Sequence, residues 1–129
     1  LPGHEIIFTP AQKARADDLL GKFAAEPYAP PSVKECEALV GEALLSGLIE
    51  TGQLIQVADD VLFRKHDYDE MYAEIIQKLQ NGEQVTVAVF RDQYHTSRKY
   101  ALGFLEYLDR IGVTERDGDN RRLRKSSHR

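Results

Sequence analysis

One arrangement of signals is written twice along this chain of 129 residues, and it limits the fold more than any other feature. Thr9 followed by Pro10 marks a helix start, because a threonine hydroxyl caps free N–H groups and proline presets the first helical turn. Ala16, Leu19, Leu20 and Phe23 then fall on one helical face. Tyr28-Ala29-Pro30-Pro31 breaks that helix, and Ser32-Val33-Lys34-Glu35 has the form of a capping box that opens a second. A third helix carries Leu44, Leu45 and Leu48 on one side and ends near Gly52. Two short β-prone runs, Leu54 to Val57 and Val61 to Arg64, flank Ala58-Asp59-Asp60 and predict a hairpin.

The second half follows the same plan. Asp69 is read as the cap of a helix that buries Tyr72, Ile75, Ile76 and Leu79 and ends at Asn81-Gly82. Thr86 caps a short helix with Val87, Val89 and Phe90, and Thr96 a longer one with Ala101, Phe104, Leu105, Leu108 and Ile111 on one face. Val113 to Arg116 and Arg121 to Arg124 flank the turn Asp117-Gly118-Asp119-Asn120. Thr9 to Gly52 and Asp69 to Gly112 each span 43 positions, and each glycine lies 11 before Phe63 or Leu123. The caps of the second helices, Ser32 and Thr86, are 54 apart, so the halves differ in their loops. Three helices and a hairpin are the winged-helix order. The expected fold is mainly α with small β-hairpins (α+β), as tandem winged-helix domains at 1–66 and 67–129. Units of about 60 residues are near the lower limit for a core of their own.

Composition narrows the function. The chain has no run of about 20 apolar residues, so no membrane span is expected. Leu1-Pro2-Gly3-His4 has neither the basic nor the apolar region of a signal peptide, and the missing initial Met suggests a piece of a longer chain. The lone Cys36 excludes an internal disulfide and fits a reducing compartment. The net charge of −4 conceals an asymmetry. Residues 1–82 hold seven Lys/Arg against fourteen Asp/Glu, whereas residues 83–129 hold ten against seven. A basic half in an acidic chain points to an anionic partner, with nucleic acid the usual one.

The basic residues are not scattered. Arg98 and Lys99 stand in the first turn of the longest helix of the second half, where cations oppose the helix macrodipole. A bound phosphate would reverse that cost. Arg116, Arg121, Arg122 and Arg124 surround the second hairpin turn, where the first hairpin has only Arg64. Tyr94, His95 and Tyr100 add groups able to stack or hydrogen-bond. Other chemistry finds little support. Asp117-Gly118-Asp119-Asn120 lacks the remaining ligands of a calcium loop and reads as a turn. Asp17-Asp18 and Asp59-Asp60 read as a solvated face and a turn, and Cys36, with no His partner, as a buried helix residue. His4, His66, His95 and His128 show no metal-ligand spacing, and no phosphate-binding G-x-x-x-x-G-K-[ST] loop is present. The chain is therefore read as a binding module without catalytic residues, metal or cofactor.

Phe90-Arg91-Asp92, Thr96-Ser97-Arg98-Lys99-Tyr100-Ala101, Leu105-Glu106-Tyr107-Leu108-Asp109, Gly112-Val113-Thr114, Arg116 and Gly118-Asp119 together resemble the last winged-helix domain of the bacterial SelB family. The unit containing Pro31-Ser32-Val33-Lys34-Glu35 is similar, more loosely, to that family's penultimate winged helix, and is shorter between its second and third helices. The resemblance implies an RNA-binding module of a selenocysteine-specific, GTP-dependent elongation factor, a cytoplasmic protein. In that family the module tethers the factor to an mRNA hairpin, the selenocysteine insertion element, for recoding of UGA. Selenocysteyl-tRNA and the ribosome are met through the rest of the factor. Carried over by motif, the RNA contacts fall on Ser97, Arg98, Lys99, Tyr100, Arg116, Gly118, Asp119 and Arg121. Glu115 and Asp117 replace a basic and an apolar residue of the family pattern and lower the local positive charge. The acidic first unit is expected to act as a spacer and the chain to be a monomer. The rival reading is a DNA-binding winged-helix regulator; a protein-docking winged helix is a third.

Overall fold

The computed structural model describes residues 6–125; residues 1–5 and 126–129, with His4, His128 and the end of the basic tail, lie outside the described residues. The element order is α1 (Pro10–Ala25), α2 (Val33–Val40), α3 (Glu42–Glu50), β1 (Leu54–Ala58) and β2 (Val61–Arg64), then α4 (Lys65–Gln80), α5 (Val87–Tyr94), α6 (Arg98–Arg110), β3 (Thr114–Asp117) and β4 (Asn120–Leu123). The chain divides into two compact units, Leu1–Lys65 and His66–Arg129. Each ends in a two-stranded antiparallel hairpin. Among the described residues no helix is long and apolar enough to cross a membrane.

In the first unit the capping signals do what their chemistry dictates. Thr9 accepts from the Gln12 N–H while the Gln12 side chain accepts from Thr9, and Ser32 and Glu35 repeat the exchange at α2. Leu19, Phe23, Cys36, Leu44, Leu45, Leu48, Leu54 and Leu62 form the core. A single residue, Gly41 at φ +87°, ends α2 and starts α3, so no longer turn separates these helices. Asp60, in the hairpin, accepts a hydrogen bond from the Lys34 N–H at 3.2 Å and ties the wing to the first turn of α2.

The second unit repeats the closing device. Gly52 and Gly112 follow α3 and α6 at φ +83° and +84°, a conformation that only glycine adopts without strain. Gln53 and Val113, the next residues, donate back to the Leu48 and Leu108 carbonyls, both at 3.0 Å. Each hairpin thereby leaves its helix in the same direction. The core comprises Met71, Ile75, Val85, Phe90, Phe104, Leu105 and Leu108. Around Phe104 the Phe90 ring stacks at 4.9 Å, and Tyr68 lies 5.4 Å away. Burial, then the neighbouring Tyr107 and Tyr72, push the Tyr68 phenol upward.

Several boundaries differ from those expected. Asp69 is not a cap: α4 begins at Lys65, directly after β2, and Asp69 sits inside it. The buried stripe accordingly shifts to Asp67, Met71 and Ile75, with Tyr72, Ile76 and Leu79 half-buried. Ser97, not Thr96, is the N-cap of α6. The second hairpin is tighter than its four-residue turn suggested, since Asp117 pairs with Asn120 and only Gly118-Asp119 close it. Two-residue hairpin loops twist as their strands do, and Gly118 at φ +65° supplies the conformation required.

Cys36 is fully buried, and burial, with Glu35, Asp60 and Glu37 adding to it, pushes the thiol from 9.0 up to about 11. The unfolded chain therefore loses this proton before the folded one. The contribution to stability is intact below pH 9 and is lost as pH rises from there through about 11. Urea denaturation at pH 8 and pH 10.5 tests this: the unaltered chain loses more stability between them than Cys36→Ala does.

Candidate nucleic-acid interface

The second unit builds a polar groove of about 580 Å³ from three sources. Gln84, Thr86, Val87 and Ala88 line it from the loop before α5 and its first turn; Arg98, Leu102 and Glu106 line it from α6; Arg116, Asp119 and Arg121 line it from the wing. On α6 these are spaced i, i+4 and i+8, so they form a stripe on one side. Ala101, Phe104, Leu105 and Leu108 are buried on the other.

What holds the wing to this groove is a buried ion pair. Arg121 has a side chain only 1% exposed, and its Nη2 donates to Asp109 Oδ2 at 3.0 Å. Nε donates to the same oxygen at 3.2 Å, and the Thr114 hydroxyl donates to Asp109 Oδ1 at 2.6 Å. Asp109 lies in the last turn of α6, where an anion opposes the helix dipole. Arg121 and Thr114 offset that cost. The backbone continues the link, since Arg121 N–H donates to the Val85 carbonyl at 2.9 Å and Val85 N–H to the Asn120 side chain at 2.7 Å. One network thus joins the end of α6, both wing strands and the loop that begins α5.

Side-chain alternation divides the wing's charge. Thr114, Arg116, Arg121 and Leu123 share one face, and Glu115 opposite Arg122 lies on the other. On that outer face Arg122 donates to Glu115 at 2.7 Å and lies 3.6 Å from Asp117, and the Glu115 bond, then both carboxylates' charges, favour its cationic form. On the groove face Arg116 is exposed and approaches Asp119 only at 3.9 Å. Across from it Ser97 caps α6 in an extended conformation without lending its hydroxyl to the helix. Arg98 is exposed, and among the described residues no ion pair holds it. A helix N-terminus with an exposed arginine beside it favours an anion.

Of the eight residues expected to bind, Arg98, Arg116, Asp119 and Arg121 meet around the groove. Ser97 and Lys99 are exposed at its α6 end, Tyr100 is half-buried with Lys99 Nζ 5.6 Å from its ring, and Gly118 is at the wing tip. Arg121 lines the groove, but its guanidinium is bonded to Asp109 and its side chain is shielded from solvent. Gln84, Leu102 and Glu106 were missed; the i, i+4, i+8 spacing from Arg98 was the available signal for the last two. Outside the groove, His66, Asp67 and Glu70 bring ligand atoms within 4.8 Å of one another, a grouping that histidine spacing alone did not suggest. His66 Nε2 lies 3.3 Å from Glu70, the ordinary i, i+4 contact of a helix.

Comparison with known proteins finds related sequences and a related fold. Residues 77–123 match the family model described as elongation factor SelB, winged helix. Over 97% of its length the chain is 28% identical to the selenocysteine-specific elongation factor of Desulfomicrobium baculatum. Over 96% it is 30% identical to that of Escherichia coli K12. It spans about a fifth of these relatives, 21% of each. The mRNA-binding domain of elongation factor SelB from E. coli, solved in complex with SECIS RNA, superposes with a TM-score of 0.71 at 27% identity, over 92% of this chain and all of that one. A bacterial selenocysteine-specific elongation factor EF-Sec, at 19% identity and TM-score 0.62 over 91% of this chain and 19% of that one, shares the fold.

The network carries its own prediction. Removing one member of a buried pair strands the other, so Asp109→Asn or Arg121→Met costs about 3 kcal/mol or more in chemical denaturation. Asp109→Leu with Arg121→Met recovers much of that loss.

Proposed function

We propose that this chain, whose second half carries the SelB-type winged helix, is the mRNA-binding end of a selenocysteine-specific elongation factor. It tethers the factor to a selenocysteine insertion hairpin so that UGA is recoded. The observation that carries the reading is the groove with Arg98 at the α6 N-terminus on one side and Arg116 on the wing opposite. Two cations flanking a polar groove hold a phosphate backbone from two directions.

The chemistry is binding, with no catalytic step, metal or cofactor in this piece. Arg98, Lys99 and Arg116 neutralise phosphates and release counterions, so affinity falls with salt. Ser97, Tyr100, Gly118 and Asp119 supply hydrogen bonds, a ring edge and close backbone approach at the same rim. Sequence is read from unpaired bases, because the deep, narrow major groove of an RNA helix excludes side chains. Arg121 acts through the wing it holds.

The first unit is a spacer. Its α3 starts at Gly41-Glu42, so the helix end that faces phosphate in the second unit is acidic here. GTP hydrolysis, selenocysteyl-tRNA and the ribosome belong to the remainder of a longer factor, which works in the cytoplasm, and this piece acts as a monomer.

Fluorescence anisotropy with a labelled RNA hairpin bearing a bulged base, across a salt series, tests the reading. Arg98→Ala weakens hairpin binding by about 1–3 kcal/mol and flattens the salt slope by about one phosphate contact. Equal or tighter binding to duplex DNA of the same length would instead favour a regulator.

A further inference from the structure

The groove contains one group that phosphate binding does not explain. Glu106 lies on the α6 stripe with Arg98 and Leu102, exposed and in a groove also lined by Arg116 and Arg121. Arg121 is taken by Asp109, and Arg116 donates from Nε to the Gly118 carbonyl at 3.4 Å and lies 3.9 Å from Asp119. Among the described residues no hydrogen bond or ion pair holds the Glu106 carboxylate. A free carboxylate in a phosphate-binding groove repels the backbone it sits beside, and such a cost without structural return marks a specificity device.

We propose that Glu106 reads the Watson–Crick edge of an unpaired guanine. This rests on the RNA reading above. Carboxylate oxygens only accept, and they accept two parallel N–H bonds well. Guanine is the one standard base whose Watson–Crick edge offers two adjacent donors, N1–H and the N2 amino group. Adenine and cytosine each offer one donor beside an acceptor, and uracil sets its single N–H between two carbonyl oxygens that a carboxylate repels. In a paired guanine those donors are occupied, so the base has to be unpaired, as RNA readers require. The stripe supplies the rest of a nucleotide site. Arg98 lies about 12 Å along the helix axis from Glu106, at eight residues of 1.5 Å rise, and takes the phosphate. Half-buried Leu102, between them, offers an apolar surface to the base.

The test selects from a hairpin library with randomised loop and bulge positions, using the whole 129-residue chain, Glu106→Gln and Glu106→Ala. The unaltered chain enriches guanine at one unpaired position, and inosine there, which lacks the N2 amino group, weakens binding about tenfold. Both variants lose the guanine preference and the inosine effect. They also bind non-cognate hairpins more tightly than the unaltered chain, because the repulsion is gone; a merely structural glutamate would not yield opposite signs. Hairpin binding with the guanine preference intact in both variants overturns the assignment of Glu106 alone. No hairpin binding by the unaltered chain overturns the RNA reading and this assignment with it.

Discussion

The second unit depends on one buried ion pair. Asp109 and Arg121 meet at 3.0 Å beneath the wing, and Thr114 and Val85 close the network around them. Burying charges is expensive unless the geometry is good and the remaining atoms are hydrogen-bonded. Here the carboxylate receives the guanidinium and a hydroxyl, and β4 is held by the α4–α5 loop. In return the wing is fixed against α6, and a groove forms between parts that are far apart in sequence. A hairpin of four-residue strands has little stability alone, so its orientation has to come from such anchorage.

That anchorage explains how a wing bearing Glu115, Asp117 and Asp119 still presents cations to a ligand. The period of two sends Glu115 and Arg122 to the outer face, where they satisfy one another. Arg116 stays on the groove face, opposite α6 and Arg98. The net charge of the wing is a poor guide to its field; the distribution between faces decides it.

Much of the fold was legible because its signals are local. Thr9-Pro10, Ser32 with Glu35, and the glycines at 52 and 112 each act within a turn of chain, and the structure uses each as its chemistry predicts. Asp69 misled because β2 runs into α4 with no loop, so the helix already begins at Lys65, and a good cap residue inside a helix resembles a start. Asp67 escaped for a different reason: a buried acid on an inward stripe is not read from hydrophobic period. Of the site, Arg98 and Arg116 were legible from their places at a helix start and a hairpin turn. Arg121 was not, since among four wing arginines only the pairing partner Asp109, twelve residues away, distinguishes the buried one. Strand alternation put it on the inner face, but sequence alone does not say that the inner face is closed over.

The account is tested most directly by NMR titration of the ¹⁵N-labelled chain with the bulged RNA hairpin, following backbone amides and arginine Nε–H groups. The account predicts that shifts concentrate at Thr86, Ser97, Arg98 and Arg116, that the Nε–H of Arg121 stays protected and nearly unmoved, and that α1 to α3 remain silent. Shifts centred on α1 or α3, or an α6 N-terminus that does not respond, would contradict it.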